Sequence, residues 1–205
     1  DNLSDFAHLL RMRDAVGTLG DRVIHIGAPK CGSTAPQSAF HQNRDALHLE
    51  GVTYIGESPH WISAAKAVAG VADRTSGKKP PLSEWSRLVR EVGSVTSGTA
   101  LISSEWFASA NEAGIQRIVD DLDAKKLQAV LVIRPLSSTL PSAWQQGLKL
   151  GGRQGFSEWL DTVLNHPEDP RAKRVWSKHR YDQIAQRWVS ALGNERVTVI
   201  VADEA

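Results

Sequence analysis

The sequence predicts an α/β fold in three layers, a central and mostly parallel sheet with helices on both faces. Three observations predict it. Short β-rich runs alternate with longer stretches of helical periodicity along the chain. One run, residues 127–133 (LQAVLVI), is almost continuously apolar, as a strand covered on both faces must be. The first clear strand, residues 22–26, passes through a turn punctuated by Gly27, Pro29 and Gly32 directly into a helical segment, which is how a βαβ unit opens.

Taken in order, residues 2–19 carry Leu3, Phe6, Leu9, Leu10 and Val16 at helical spacing and predict an opening amphipathic helix. Strand 22–26 and helix 33–49 follow, then strand 52–55, a turn over 56–59 and a helix over 60–72. Residues 73–81 concentrate Ser, Gly, Lys and Pro and predict a mobile surface loop or lid. Helix 82–92, strand 100–103, helix 111–125 and strand 127–133 continue the alternation. Helices over 141–150, 156–164 and 172–192 then precede a last strand at 197–201.

At 205 residues the chain holds one well-buried domain, 1–205. Its ends read as those of a fragment, since it begins at Asp1 and stops just after an apolar run. Lys and Arg number 24 against 23 Asp and Glu, which excludes the global basic field that drives non-specific nucleic-acid binding; any anion must be held locally. Cys31 is the single cysteine, so no disulfide forms within the chain and a cytoplasmic location is expected. No run approaches the roughly 20 apolar residues of a membrane span.

The loop from Gly27 to Thr34 (GAPKCGST) lies between a strand and a helix, where free backbone N–H groups and the positive end of the helix dipole converge on an anion. A nucleoside triphosphate loop of the Walker type needs Lys directly after the second glycine; here Ser33 and Thr34 follow Gly32 and the lysine is Lys30. A lysine at mid-loop suits the bridging oxygen of a phosphosulfate, with the Ser33 and Thr34 hydroxyls donating to the phosphate. Cys31 reads as a small loop residue, since no histidine or second cysteine partners it in sequence. At residues 132–146, Arg134 at a strand end offers a planar fork of donors to an anion such as a phosphate, and Ser142 eight residues later can add one more.

HIGAPKCGST with the following Gln37 and Asn43-Arg44 resembles the PKxGTT donor loop of sulfotransferases that use 3'-phosphoadenosine 5'-phosphosulfate (PAPS), and the segment from Val132 to Gln146 resembles their 3'-phosphate block. The resemblance covers roughly residues 22–149 and is closest to bacterial members. It implies a P-loop-like α/β fold, donor contacts from Lys30, Cys31, Gly32, Ser33, Thr34, Arg134 and Ser142, adenosine 3',5'-bisphosphate as product, and no metal. Cys31 and Ser33 depart from the family pattern. The part of the family domain that follows these blocks is expected beyond Ala205.

Sulfuryl transfer to a hydroxyl needs a general base beside the acceptor. His60, at the end of the second strand's loop, is the first candidate; Glu105 in Ser103-Ser104-Glu105-Trp106 rivals it, and Glu57 is the third. His25 lies inside a strand and reads as a packed core residue. Trp61, Trp106 and Trp144 adjoin site segments without being assigned a role, and the basic residues Arg171, Lys173, Arg174, Lys178 and Arg180 read as a solvated helix face. The expected function is therefore transfer of a sulfuryl group from PAPS to a hydroxyl of a small-molecule, lipid or glycan acceptor. The alternatives are a kinase-like ATP-binding enzyme and a nucleotide-binding relative without turnover.

Overall fold

The structure is a computed structural model and describes residues 22–32, 34–56, 58, 61–73 and 76–202. The expected helix over 2–19 lies outside these residues.

Five strands form one sheet: β1 (Arg22–Gly27), β2 (Val52–Tyr54), β3 (Thr99–Ser103), β4 (Leu127–Ile133) and β5 (Val197–Val201), in the order β2-β3-β1-β4-β5 with every pair parallel. Nine α-helices are described: α1 (Thr34–Gln42), α2 (Arg44–Leu49), α3 (Ile62–Ala69), α4 (Leu82–Gly93), α5 (Glu112–Asp121), α6 (Leu136–Lys149), α7 (Phe156–Asn165), α8 (Pro170–His179) and α9 (Tyr181–Leu192). The fold class is the expected one: a parallel sheet flanked by helices.

Side chains alternate across the strands and so define two faces. Ile24, Ile26, Ala100, Ile102, Leu127, Ala129 and Leu131 point to one, where Trp85, Leu88, Ile118, Ile184 and Trp188 of α4, α5 and α9 pack with α3 into the main core. Val23, Leu101, Val130 and Tyr54 point to the other, under Phe40 and Leu47 of α1 and α2. A third cluster, around Leu140, Trp159 and Val163, joins α6, α7 and α8.

Element boundaries depart from the sequence reading in three places. The helix expected over 33–49 breaks at Asn43, and the one expected over 172–192 breaks at Arg180, whose ψ of 74° is not helical. The helix expected from Pro141 begins at Leu136, so Pro141 lies within α6 and removes one ladder hydrogen bond there. Residues around the expected lid are pinned at its base. The Asp73 carboxylate accepts from Ser76 N–H at 3.1 Å and from Lys66 Nζ at 3.2 Å, and Asp73 N–H donates to the Lys78 carbonyl at 2.8 Å.

No helix among the described residues is long and apolar enough to cross a membrane.

Candidate functional site

The strand order reverses direction at β1: the chain leaves β1 toward β2 under α1 and α2, and later passes from β3 to β4 through α5 on the opposite face. In open parallel sheets the carboxyl ends beside such a switch form the ligand crevice. Register levels the groups there. His25 pairs with Ser103 and Gly27 with Val132, so Glu105 and Arg134 emerge from β3 and β4 at about the height at which β1 becomes the loop. Backbone bonds continue the ladder past the strand ends, Ser104 N–H donating to the His25 carbonyl at 3.2 Å and Ala28 N–H to the Val132 carbonyl at 3.3 Å.

The loop itself folds around two positive φ values, 68° at Lys30 and 78° at Gly32, with Cys31 between them on the ordinary side. Left-handed residues in a turn aim those N–H groups not spent within it toward one side. Glycine takes such a φ freely; lysine does so at a cost of about 1 kcal/mol or more, a strain typical of ligand-gripping turns. Cys31 N–H bonds the Ala28 carbonyl at 3.1 Å and Ala35 N–H the Gly32 carbonyl at 3.2 Å, which closes the turn and starts α1. A Cβ on Gly32 would meet nothing within 4 Å, so the turn faces open space. Thr34 is exposed at the first position of α1, whereas Ser33 lies outside the described residues. One turn into α1, Gln37 is buried with its Nε2 unpartnered.

Helix α6 supplies the opposite wall. Lys30 Nζ donates to Gln146 Oε1 at 3.0 Å. Ser142, half-buried, is four residues before Gln146 and therefore on the same helix face. Arg134, also half-buried, sits two residues before α6 begins. A residue that sequence reasoning missed joins them: Tyr181, first in α9, brings its hydroxyl 3.3 Å from Cys31 Sγ and donates to Thr139 Oγ1 at 3.3 Å. Burial and the Cys31 thiol push this phenol's pKa well up, the Thr139 bond and the Arg134 charge acting the other way. Only the helix break at Arg180 places Tyr181 here, and nothing in the local pattern of 172–192 signals it.

No family model matches the chain, and no curated protein matches it. A solved structure does: the crystal structure of a sulfotransferase from Alicyclobacillus acidocaldarius superposes with a TM-score of 0.57 at 16% identity, over 90% of this chain and 73% of that one. The chain has a sulfotransferase fold.

Within that sulfotransferase fold, Glu105 is half-buried at the start of a 3₁₀ turn, Glu105–Ser109, whose preceding Ser104 side chain accepts from Trp106 N–H at 3.4 Å. His60 and Glu57 lie outside the described residues. His25 is fully buried, its Nδ1 2.6 Å from Ser103 Oγ and its ring edge-on to Phe40, and burial lowers its pKa to about 4. It is a neutral core histidine at physiological pH.

The tryptophans beside the site are packing residues. Trp61 Nε1 donates to the Ile55 carbonyl at 2.8 Å and Trp144 Nε1 to the Gln154 carbonyl at 3.0 Å, while the Lys66 ammonium covers Trp106 at 4.5 Å. In the basic stretch, Arg171 pairs with Asp169, Lys173 with Glu168 and Arg180 with Asp182, each at 2.7 Å on the surface. These pairs cancel most of the patch's charge and contribute little to stability.

Proposed function

We infer that the chain is a PAPS-dependent sulfotransferase that passes a sulfuryl group to a hydroxyl of a small-molecule, lipid or glycan acceptor. The observation that carries this reading is the placement of Lys30. It stands at mid-loop in a strained left-handed conformation after β1 and bonds Gln146 of α6, the helix that follows Arg134 and carries Ser142. A kinase loop aims its lysine from the start of the helix; this one aims it from the turn, beside the point where a leaving oxygen gains charge.

The residues fit the donor. The loop's N–H groups and the N-terminus of α1 receive the 5'-phosphate, and Gly32 leaves the approach open. Arg134, a planar fork of donors at a strand end, and Ser142 receive the 3'-phosphate. PAPS brings an activated sulfuryl group; the chain's part is to hold it and to neutralise the charge it leaves behind. Lys30 exchanges its bond to Gln146 for the bridging oxygen, a trade between hydrogen bonds that costs little. Glu105, at the rim, and His60 are the candidate groups to take the acceptor's proton.

Titration separates the readings. Adenosine 3',5'-bisphosphate is expected to bind in the micromolar range or tighter without metal, and ATP with magnesium far more weakly. Tight ATP·Mg binding with no affinity for the bisphosphate would overturn the proposal. Sulfuryl transfer from labelled PAPS to a panel of hydroxyl acceptors then tests turnover.

A further inference from the structure

Two adjacent loop residues are tied to one helix. Lys30 reaches Gln146 of α6 directly at 3.0 Å, and Cys31 reaches Thr139 of α6 through Tyr181, in two steps of 3.3 Å each. Thr139 continues the path, its hydroxyl donating to the Pro135 carbonyl at 3.1 Å, one residue after Arg134. The directions are fixed by counting protons. Thr139 spends its O–H on Pro135 and Tyr181 spends its O–H on Thr139, so the remaining oxygen lone pair of Tyr181 receives the Cys31 S–H. The other acceptor near that thiol, the Pro29 carbonyl at 3.9 Å, is a poorer one. Cys31 and Thr139 are buried, and Tyr181 packs against the main core.

We propose that the Cys31–Tyr181–Thr139–Pro135 relay is a positioning device that fixes the distance between the loop holding the 5'-phosphate and the Arg134/Ser142 pair holding the 3'-phosphate, and so selects nucleotides phosphorylated at both ends. This rests on the donor reading above. The anchors at positions 139 and 146 bracket Ser142 on α6, about two helical turns apart, so the helix cannot slide or roll against the loop while both hold. A ligand that spans both phosphate sites gains from a preset spacing because its second contact becomes intramolecular; a ligand that uses the loop alone does not. The relay also gives Cys31 a task that does not involve touching the donor. Its thiol points to Tyr181.

The test compares adenosine 3',5'-bisphosphate with AMP, which carries only the 5'-phosphate, by competition binding on the wild type, Tyr181→Phe, Thr139→Val and Thr139→Ser, with thermal stability recorded alongside. The relay predicts that Tyr181→Phe and Thr139→Val weaken the bisphosphate by about threefold to tenfold, the effect of one or two neutral hydrogen bonds. AMP should change less than twofold, and Thr139→Ser, which keeps the hydroxyl, should keep the preference. Equal losses for both nucleotides, or an unchanged preference in both relay variants, would overturn the relay alone. A wild type that binds AMP and the bisphosphate equally would remove the donor reading and the relay with it.

Discussion

Lys30 combines a left-handed backbone, a single hydrogen bond to Gln146 and a position at the carboxyl end of the central strand. A solvated turn lysine would need none of these. Lys30→Ala removes the one cation of the loop and leaves the backbone strain as it was, since alanine also carries a Cβ, so the variant should fold about as well as the wild type and lose transfer by about 10²–10³-fold, the usual cost of deleting a charge-stabilising donor. Retained turnover with unchanged donor affinity would show that the ammonium has no part in the chemistry. Arg134→Ala acts on the other phosphate. It should weaken adenosine 3',5'-bisphosphate by about tenfold to a hundredfold, the range for charge-assisted bonds, and leave AMP nearly unchanged. For the proton acceptor, the acid limb of the pH–rate profile belongs to the base. Its disappearance in Glu105→Ala with survival in His60→Ala, or the reverse, assigns the role, and full activity in either variant clears that residue.

At the scale of elements, Gly114 in the first turn of α5 lets that helix lie close against α3: a Cβ there would stand 2.6 Å from the Val68 carbonyl of α3. Two effects compete in Gly114→Ala. Helix propensity favours alanine by about 1 kcal/mol. The clash is with backbone, which cannot rotate away, and forcing α3 and α5 apart in a packed core costs about 1–3 kcal/mol. Net destabilisation is therefore expected in urea unfolding; a more stable variant would mean that the helices separate freely. Such contacts show what sequence can convey. Strands β1 and β4 were legible because buried parallel strands write themselves as apolar runs, β5 because its β-branched run persists even at a half-exposed sheet edge, and the loop after β1 because glycine and proline punctuate it. The breaks at Asn43 and Arg180 were not, since the apolar spacing continues across both. Tyr181 was hidden for the same reason: its partner Cys31 is 150 residues away, and only the turn at Arg180 aims it there. Of the donor-site residues, the local motif marks those that would touch the ligand, whereas the groups that hold them, Gln146, Thr139 and Tyr181, are recognised only in three dimensions.

For the whole molecule, two histidines among the described residues are buried, and their lowered pKa values predict a response to acid. Burial lowers His25 to about 4; burial, helped by Lys178, lowers His179 to about 4 as well. Both would titrate near 6.5 in the unfolded chain. Between pH 6.5 and 4 the unfolded state binds protons that the folded state refuses, so stability is fully present above 6.5 and is lost as pH falls through this window. Other shifted groups act elsewhere. Asp169 and Asp182, held down by Arg171 and Arg180 to about 2, matter only below their ordinary range near 3.8, and Tyr54, raised to about 12 chiefly by burial, matters only in base. From pH 7 to pH 5 the His25 shift alone corresponds to about 2 kcal/mol, with a smaller addition from the less deeply buried His179. His25→Asn keeps a hydrogen-bonding side chain toward Ser103 but cannot titrate. Its stability at pH 7 should fall, while its loss between pH 7 and pH 5 should shrink to less than half of the wild-type loss. Urea midpoints at the two pH values measure both quantities, and an unchanged pH slope in the variant would show that the acid response arises outside the β1–β3 core.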